Sequence, residues 1–385
     1  MNKPINQRVA SLNESVFGTI SKLSIKNNAI NLGQGFPDFD GPEWLTKLAS
    51  EALLKNKNQY APAAGIAELR SELSALYSKE YQLKYSEDSE ITVTTGATEG
   101  IFCSILATLN PGDEVIVFEP FYDSYLASIE LTGAKAIPIT LKFPDFKINN
   151  EEFSQKVNSK TKMVIINNPH NPTGRVFSRE ELIPLTKTIK ENNLLVLSDE
   201  VYEFLTYDGH LHTPFASLPD MKERTYTVSS LGKTFGLTGW KVGWVCAPRE
   251  LTDALRKVKQ YTTYCTNHPM QIAAAQAIQF RKNYLVEFKE TYSKKKNFFV
   301  KEMKNIGFNI IDPQGTYFAL IKVPETFSDI SYCQHLIKKH QVSSIPPSAF
   351  YLKSNEGEKL LRFCFAKSDQ LLNQALEKLA SVNEK

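Results

Sequence analysis

Lys233 has the surroundings that turn a lysine into a nucleophile. It follows Thr225-Tyr226-Thr227-Val228-Ser229-Ser230, a run rich in β-branched and aromatic residues that reads as a strand. Its amine is therefore held near a sheet edge, inside a loop of small residues. A lysine becomes reactive when desolvation or nearby cations lower its pKa. Ser230 and Lys241 flank it, and both side chains suit a phosphate. Asp199 closes an earlier apolar run, Leu194 to Leu197. A buried carboxylate there needs a cationic partner, and a protonated pyridine nitrogen is one. Tyr202 lies three residues further on and falls on the same side if the chain turns helically.

These residues need a scaffold that brings strand ends together. From about residue 45 to 285 apolar strands alternate with helical patterns. Strands are expected at Glu90 to Thr95, Glu114 to Phe118, Lys162 to Ile166, Leu194 to Leu197, Thr225 to Ser229 and Val242 to Ala247. Gly96 opens a helix, Asn110-Pro111-Gly112-Asp113 makes a turn, and Ser178 with Glu181 forms a capping box. Continuous apolar strands alternating with helices imply a mostly parallel sheet covered on both faces. Ligands bind such sheets beyond the carboxyl ends of the strands. Gly96-Ala97-Thr98, Tyr122, Asn171, Asp199 and Lys233 all fall there. After about residue 286 a long helical stretch leads into shorter strands, Thr316 to Val323 and Leu360 to Phe365. The expected division is a large α/β domain over 45–285. A smaller α+β body is expected from 286–385 together with 1–44.

The chain has 385 residues, more than one core usually spans. Its formal charge of +3 is too small to mark a nucleic-acid surface. The lysine run Lys294-Lys295-Lys296 reads as a solvated helix face. Five cysteines, none in a CxxC pair, argue against a disulfide framework and for a reducing compartment. Met1 to Asn13 has no apolar core of a signal peptide, and no apolar run approaches a membrane span. A cytoplasmic protein without nucleic-acid or membrane partners is the expectation.

Four motifs in order carry a family resemblance: His170-Asn171-Pro172-Thr173-Gly174, Ser198-Asp199-Glu200-Val201-Tyr202, Ser230-Leu231-Gly232-Lys233 and Gly239-Trp240-Lys241-Val242-Gly243. Together they resemble the class I, fold-type-I aminotransferases dependent on pyridoxal 5′-phosphate. Within them the chain is most similar to the methionine and kynurenine aminotransferase (glutamine transaminase K) branch. The resemblance runs from Asn31 to Phe365. It implies a mostly parallel, seven-stranded α/β sheet with a smaller α+β domain, and a homodimer.

The resemblance also implies roles. Lys233 would bond covalently to the cofactor and then carry the proton. Asp199 would hold the pyridine nitrogen, Asn171 and Tyr202 the ring oxygen, and Tyr122 would stack on the ring. The first amides of the helix after Gly96 (Ala97 and Thr98), with Ser230 and Lys241, would cup the phosphate, and Tyr60 would reach it from a second subunit. Arg362 would fork onto the substrate carboxylate, helped by Asn171 and the backbone of Gly35. Phe17, Phe36 and Tyr264 would line the side-chain pocket. In many class I enzymes an arginine stands where this chain has Lys241, and some kynurenine-type relatives have an aromatic residue where it has Thr98.

The expected activity is transfer of the amino group of methionine, glutamine or an aromatic amino acid to a 2-oxo acid by a ping-pong route. A β-lyase acting on cysteine conjugates would use the same lysine. A ligand-sensing regulator is disfavoured, since no helix-turn-helix pattern precedes the core motifs. Other motifs fail. Gly232-Lys233-Thr234 lacks the first P-loop glycine, since residue 227 is threonine. Pro37 and Asp38 stand where a dinucleotide fingerprint after Gly33-Gln34-Gly35 needs its helix. Cys333, His335 and His340 have helical rather than metal-ligand spacing, and His210 and His212 read as part of a turn, so no metal is expected.

Overall fold

The computed structural model describes residues 5–10, 12 and 15–382, so much of Met1 to Asn13 lies outside it. Eleven strands occur among the described residues: β1 (Ile30–Asn31), β2 (Ile91–Thr95), β3 (Glu114–Glu119), β4 (Lys135–Thr140), β5 (Thr161–Asn167), β6 (Leu195–Asp199), β7 (Thr225–Ser230), β8 (Val242–Cys246), β9 (Phe318–Lys322), β10 (Val342–Ser343) and β11 (Leu360–Cys364). Seven of them form one sheet in the order β2-β8-β7-β6-β5-β3-β4. Neighbouring pairs are parallel except where β8 runs antiparallel to both β2 and β7.

Both faces of this sheet are buried, and the pleat divides its side chains between two cores. Val115, Val117, Met163 and Ile165 pack in one core with Ile101 and Ile129 of the covering helices. Their neighbours Ile116, Phe118, Val164 and Ile166 pack in the other with Leu182, Leu185 and Ile189. The strand β4 escaped sequence reading. It is the sheet edge, only partly buried, and it contains Pro138. Proline is tolerated at an edge because no neighbour needs its missing N–H.

The helix His268–Asn305 passes residues 285–286 unbroken and leads to a second, small sheet. There β9 and β11 pair antiparallel, placing Arg362 opposite Leu320. The N-terminal segment joins this body: Ile30 pairs with Val342, and the Cys364 amide donates to the Leu32 carbonyl at 2.7 Å. The lysine run on the long helix is not a uniformly solvated face. Lys296 is buried, donating to Asp208 at 2.6 Å and lying 3.5 Å from Asp312. Lys295 pairs with Asp369. Lys296 points towards neighbouring loops and Lys295 towards the start of the helix Asp369–Ala380, which a run of lysines on a helix does not reveal.

Glu119, at the end of β3, ties the large sheet to the loop at 352–354. Its buried carboxylate accepts from the Leu352 (2.7 Å), Lys353 (3.0 Å) and Ser354 (3.0 Å) amides and from the Thr140 hydroxyl (2.7 Å). An apolar residue would leave all four donors unmatched, at roughly 1 kcal/mol or more each. Glu119→Leu is therefore expected to lower the denaturant midpoint markedly; an unchanged midpoint would show that the tie contributes nothing.

Candidate active site

The strand ends of the large sheet meet over a cavity of about 320 Å³. β2 ends at Thr95, Gly96 turns with φ of +73°, and the helix Gly96–Thr108 begins without a side-chain cap. Its first amides, at Gly96, Ala97 and Thr98, line the cavity. Uncapped first-turn N–H groups and the helix dipole favour an anion. Because β8 runs antiparallel, it is its start that lies at this edge, and Lys241 immediately precedes it. A Cβ on Gly96 would sit 3.0 Å from the Lys241 Nζ, and one on Gly243 would sit 2.6 Å from the Ala97 nitrogen. Glycine at both positions lets the lysine and the helix start converge. Ser230, at the end of β7, lines the same corner. This set of donors fits a phosphate.

Asp199 ends β6 and is 4% exposed. Its carboxylate is held by neutral donors, the Tyr125 hydroxyl at 2.5 Å and the Val201 amide at 3.3 Å. Burial pushes its pKa up to about 6, offset by those hydrogen bonds and by Lys233. Asn167 ends β5, donates to the Asp199 carbonyl at 2.9 Å and accepts from the Asn171 amide at 2.7 Å. That contact places Asn171 over the cavity. Tyr202 lines it as well, with its hydroxyl pKa raised by burial.

Lys233 lies in the short helix Leu231–Phe235 rather than in a loop. Its amine donates to the Gly35 carbonyl at 3.3 Å and lies 5.7 Å from the ring centres of Tyr202 and Tyr317. Burial is the main reason its pKa falls to about 8, and the positive charges of Arg362 and Lys241 add to the fall.

At the other end Arg362 is 1% exposed. One terminal nitrogen donates to the Asn171 side-chain oxygen and the other to the Gly33 carbonyl, both at 2.9 Å, while Nε has no acceptor among the described residues. The guanidinium lies 4.0 Å from the Phe318 ring centre, 5.2 Å from Phe350 and 5.4 Å from Phe17. Each terminal nitrogen keeps a second N–H for an incoming anion. The carbonyl next to Arg362 belongs to Gly33, whereas Gly35 turns its own towards Lys233.

Most sequence-derived candidates converge here: Phe17, Gly35, Phe36, Gly96, Ala97, Thr98, Tyr122, Asn171, Asp199, Tyr202, Ser230, Lys233, Lys241 and Arg362 all line the cavity. Tyr122 faces it while Phe121 is buried in the core. Two candidates stay outside the cavity of this chain. Tyr60 is 83% exposed and packs edge-on against Tyr264 at 5.6 Å. Sequence reading missed Tyr125, although its spacing of three from Tyr122 along a helix was a usable signal. It also missed the buried pair of His212 Nε2 with Glu200 at 2.9 Å, which only folding brings together. Cys333 turns inward and donates to the Ser344 carbonyl at 3.2 Å.

Residues 27–379 match the family of aminotransferases class I and II. The chain belongs to that family. It is 36% identical to the methionine aminotransferase of Escherichia coli, covering 99% of this chain and 100% of that one. It is 35% identical to the kynurenine–oxoglutarate transaminase of Dictyostelium discoideum, covering 99% and 97%. The solved structure of N-succinyldiaminopimelate aminotransferase from Mycobacterium tuberculosis superposes with a TM-score of 0.95 at 36% identity, covering 98% and 100%. This aminotransferase uses pyridoxal 5′-phosphate, and the donor set fits that group. It offers an amine of lowered pKa, a carboxylate lacking a charged donor, and an uncapped helix start beside a lysine.

Two pH effects follow for the cofactor-free aminotransferase. The amine reacts when neutral, so cofactor uptake should accelerate with pH through about 8, well below the ordinary lysine value of about 10.4. Uptake still rising steeply above pH 10, when followed by absorbance, would contradict this. Asp199 has its pKa raised, so its contribution to stability is present below about pH 4 and lost as pH rises through about 6. Cofactor-free Asp199→Asn should therefore match wild type at low pH and be more stable at pH 8, by up to about 3 kcal/mol. The loaded variant should turn over poorly. Calorimetry showing the variant less stable at pH 8 would refute the buried-charge account.

Proposed function

We propose that this aminotransferase takes its amino group from amino acids with uncharged, apolar or aromatic side chains, methionine and glutamine among them, and passes it to a 2-oxo acid. The supporting observation is the distribution of charge in the cavity. Among its described lining residues the cations are Lys233, Lys241 and Arg362. Lys241 belongs to the phosphate corner and Lys233 to the reacting centre, which leaves Arg362 for the α-carboxylate. Phe17, Phe36 and Phe318 form the wall beside it. A second carboxylate on the donor would meet apolar surface, where an unpaired charge is costly. The same argument separates this site from the N-succinyldiaminopimelate substrate in the name of one relative.

Bound pyridoxal phosphate supplies an aldehyde to receive the amino group and a ring to take up the electron pair released at Cα. In this reading Lys233 would hold the cofactor and then move the proton at Cα. Asp199 keeps a proton on the ring nitrogen, while Asn171 and Tyr202 bond the ring oxygen. Tyr122 covers the ring face. Ala97, Thr98, Ser230 and Lys241 hold the phosphate, and Arg362 with Asn171 orients the carboxylate. Transaminase names among the relatives favour transfer over β-elimination.

The homodimer belongs to the same reading, with Tyr60 entering the partner's site. Its support is the exposure of Tyr60 and Tyr264, 83% and 47%, on one face. We further place the enzyme in the cytoplasm, consistent with its five free cysteines. We divide it near residue 285 into the large domain and the body that includes the N-terminal segment.

A screen of amino donors, followed by the change in cofactor absorbance, tests the substrate class. Methionine, glutamine and aromatic donors should convert the cofactor, and dicarboxylic donors should be slower by about tenfold or more. Preference for aspartate or N-succinyldiaminopimelate would overturn it.

A further inference from the structure

We infer that Tyr317 is a positioning residue for Lys233: its hydroxyl holds the Gly35 carbonyl as the acceptor on which the lysine amine rests whenever that amine is free. The inference rests on Lys233 being the cofactor-binding lysine.

Two donors share one oxygen. The Tyr317 hydroxyl donates to the Gly35 carbonyl at 2.7 Å, and Lys233 Nζ donates to the same atom at 3.3 Å. A carbonyl oxygen has two acceptor directions, and these contacts use both. The shorter bond comes from the more rigid group. Tyr317 is fully buried, meets Tyr202 edge-on at 5.3 Å and Phe318 at 4.9 Å, and stacks on Tyr292 at 6.2 Å. Its carbonyl accepts from the Phe365 amide at 3.0 Å. Gly35 is confined from the other side, since a Cβ there would lie 2.5 Å from the Phe318 ring.

The lysine has four single bonds of its own and no close anionic partner. Asp199, Arg362, Lys241 and Cys364 are the titratable groups that act on its charge, and none of them donates to or accepts from Nζ within hydrogen-bond distance among the described residues. Orientation therefore falls to the carbonyl and to the faces of Tyr202 and Tyr317, each 5.7 Å away. A lysine that must move a proton at Cα while detached needs a resting place that keeps it close. Gly35 provides it, and Tyr317 holds Gly35.

The test compares wild type with Tyr317→Phe, which keeps the ring and removes the hydroxyl. Borohydride reduction and peptide mapping first locate the cofactor. A label on a lysine other than Lys233 overturns the parent reading and this inference together. With Lys233 labelled, the cofactor is stripped and its uptake followed by absorbance. Tyr317→Phe should take it up about threefold to tenfold more slowly, the effect of one neutral hydrogen bond.

In the loaded enzyme the single-turnover rate should fall similarly, with a larger isotope effect for an α-deuterated donor and KM within about twofold. Wild-type uptake and isotope effect, or a change in KM alone, would overturn the role. A purely structural loss would lower the melting temperature without moving the isotope effect. If Tyr317→Phe does not fold, 3-fluorotyrosine at position 317 of the otherwise native enzyme decides. Its fluorine resonance should differ between stripped and loaded enzyme and return towards the stripped position once excess donor frees the amine. A resonance that stays at the loaded position sinks the inference.

Discussion

Asp199 and Lys233 line the same cavity, the acid buried and the amine partly so, and neither has a charged hydrogen-bond partner among the described residues. The carboxylate has only a phenol and an amide as donors, and the amine rests on a neutral carbonyl. Desolvation moves the two groups in opposite directions, the acid up to about 6 and the amine down to about 8. The result is an amine ready to attack an aldehyde and an acid in need of a cation. Pyridoxal phosphate offers an aldehyde and a ring nitrogen that would suit both groups.

The sheet makes that arrangement possible. β5, β6 and β7 run parallel and deliver Asn167, Asp199 and Ser230 to one edge. The reversal of β8 brings Lys241 to that edge from the opposite direction. Gly96 and Gly243 then allow the lysine and the helix start to approach. An anion there meets a positive corner whose parts come from three segments of chain.

The opposite end of the cavity is built around the small sheet. Arg362 sits on β11 between the rings of Phe17, Phe318 and Phe350. Phe350 belongs to the segment before the loop that Glu119 clamps to the main sheet. Lys296 fastens the long helix to the loops at Asp208 and Asp312. Both ends of the cavity thus share a frame held by buried charges.

The sequence by itself determined the central strands, the four motifs and most residues of the cavity wall. Short apolar runs rich in β-branched residues and bounded by turn signals read as buried strands, and the chemistry of lysine, aspartate and arginine needs no structure to be recognised. The edge strand β4 was invisible because a half-buried strand with a proline carries no strong pattern. Tyr317 was invisible for another reason: a tyrosine in an apolar stretch reads as core until its hydroxyl finds a partner. Tertiary structure alone decided that Lys296 is buried, that His212 meets Glu200, and that the Gly33 carbonyl accepts from Arg362. Each of these contacts joins residues distant in the chain, and hydrogen-bond partners are chosen by distance in space, which linear spacing does not encode.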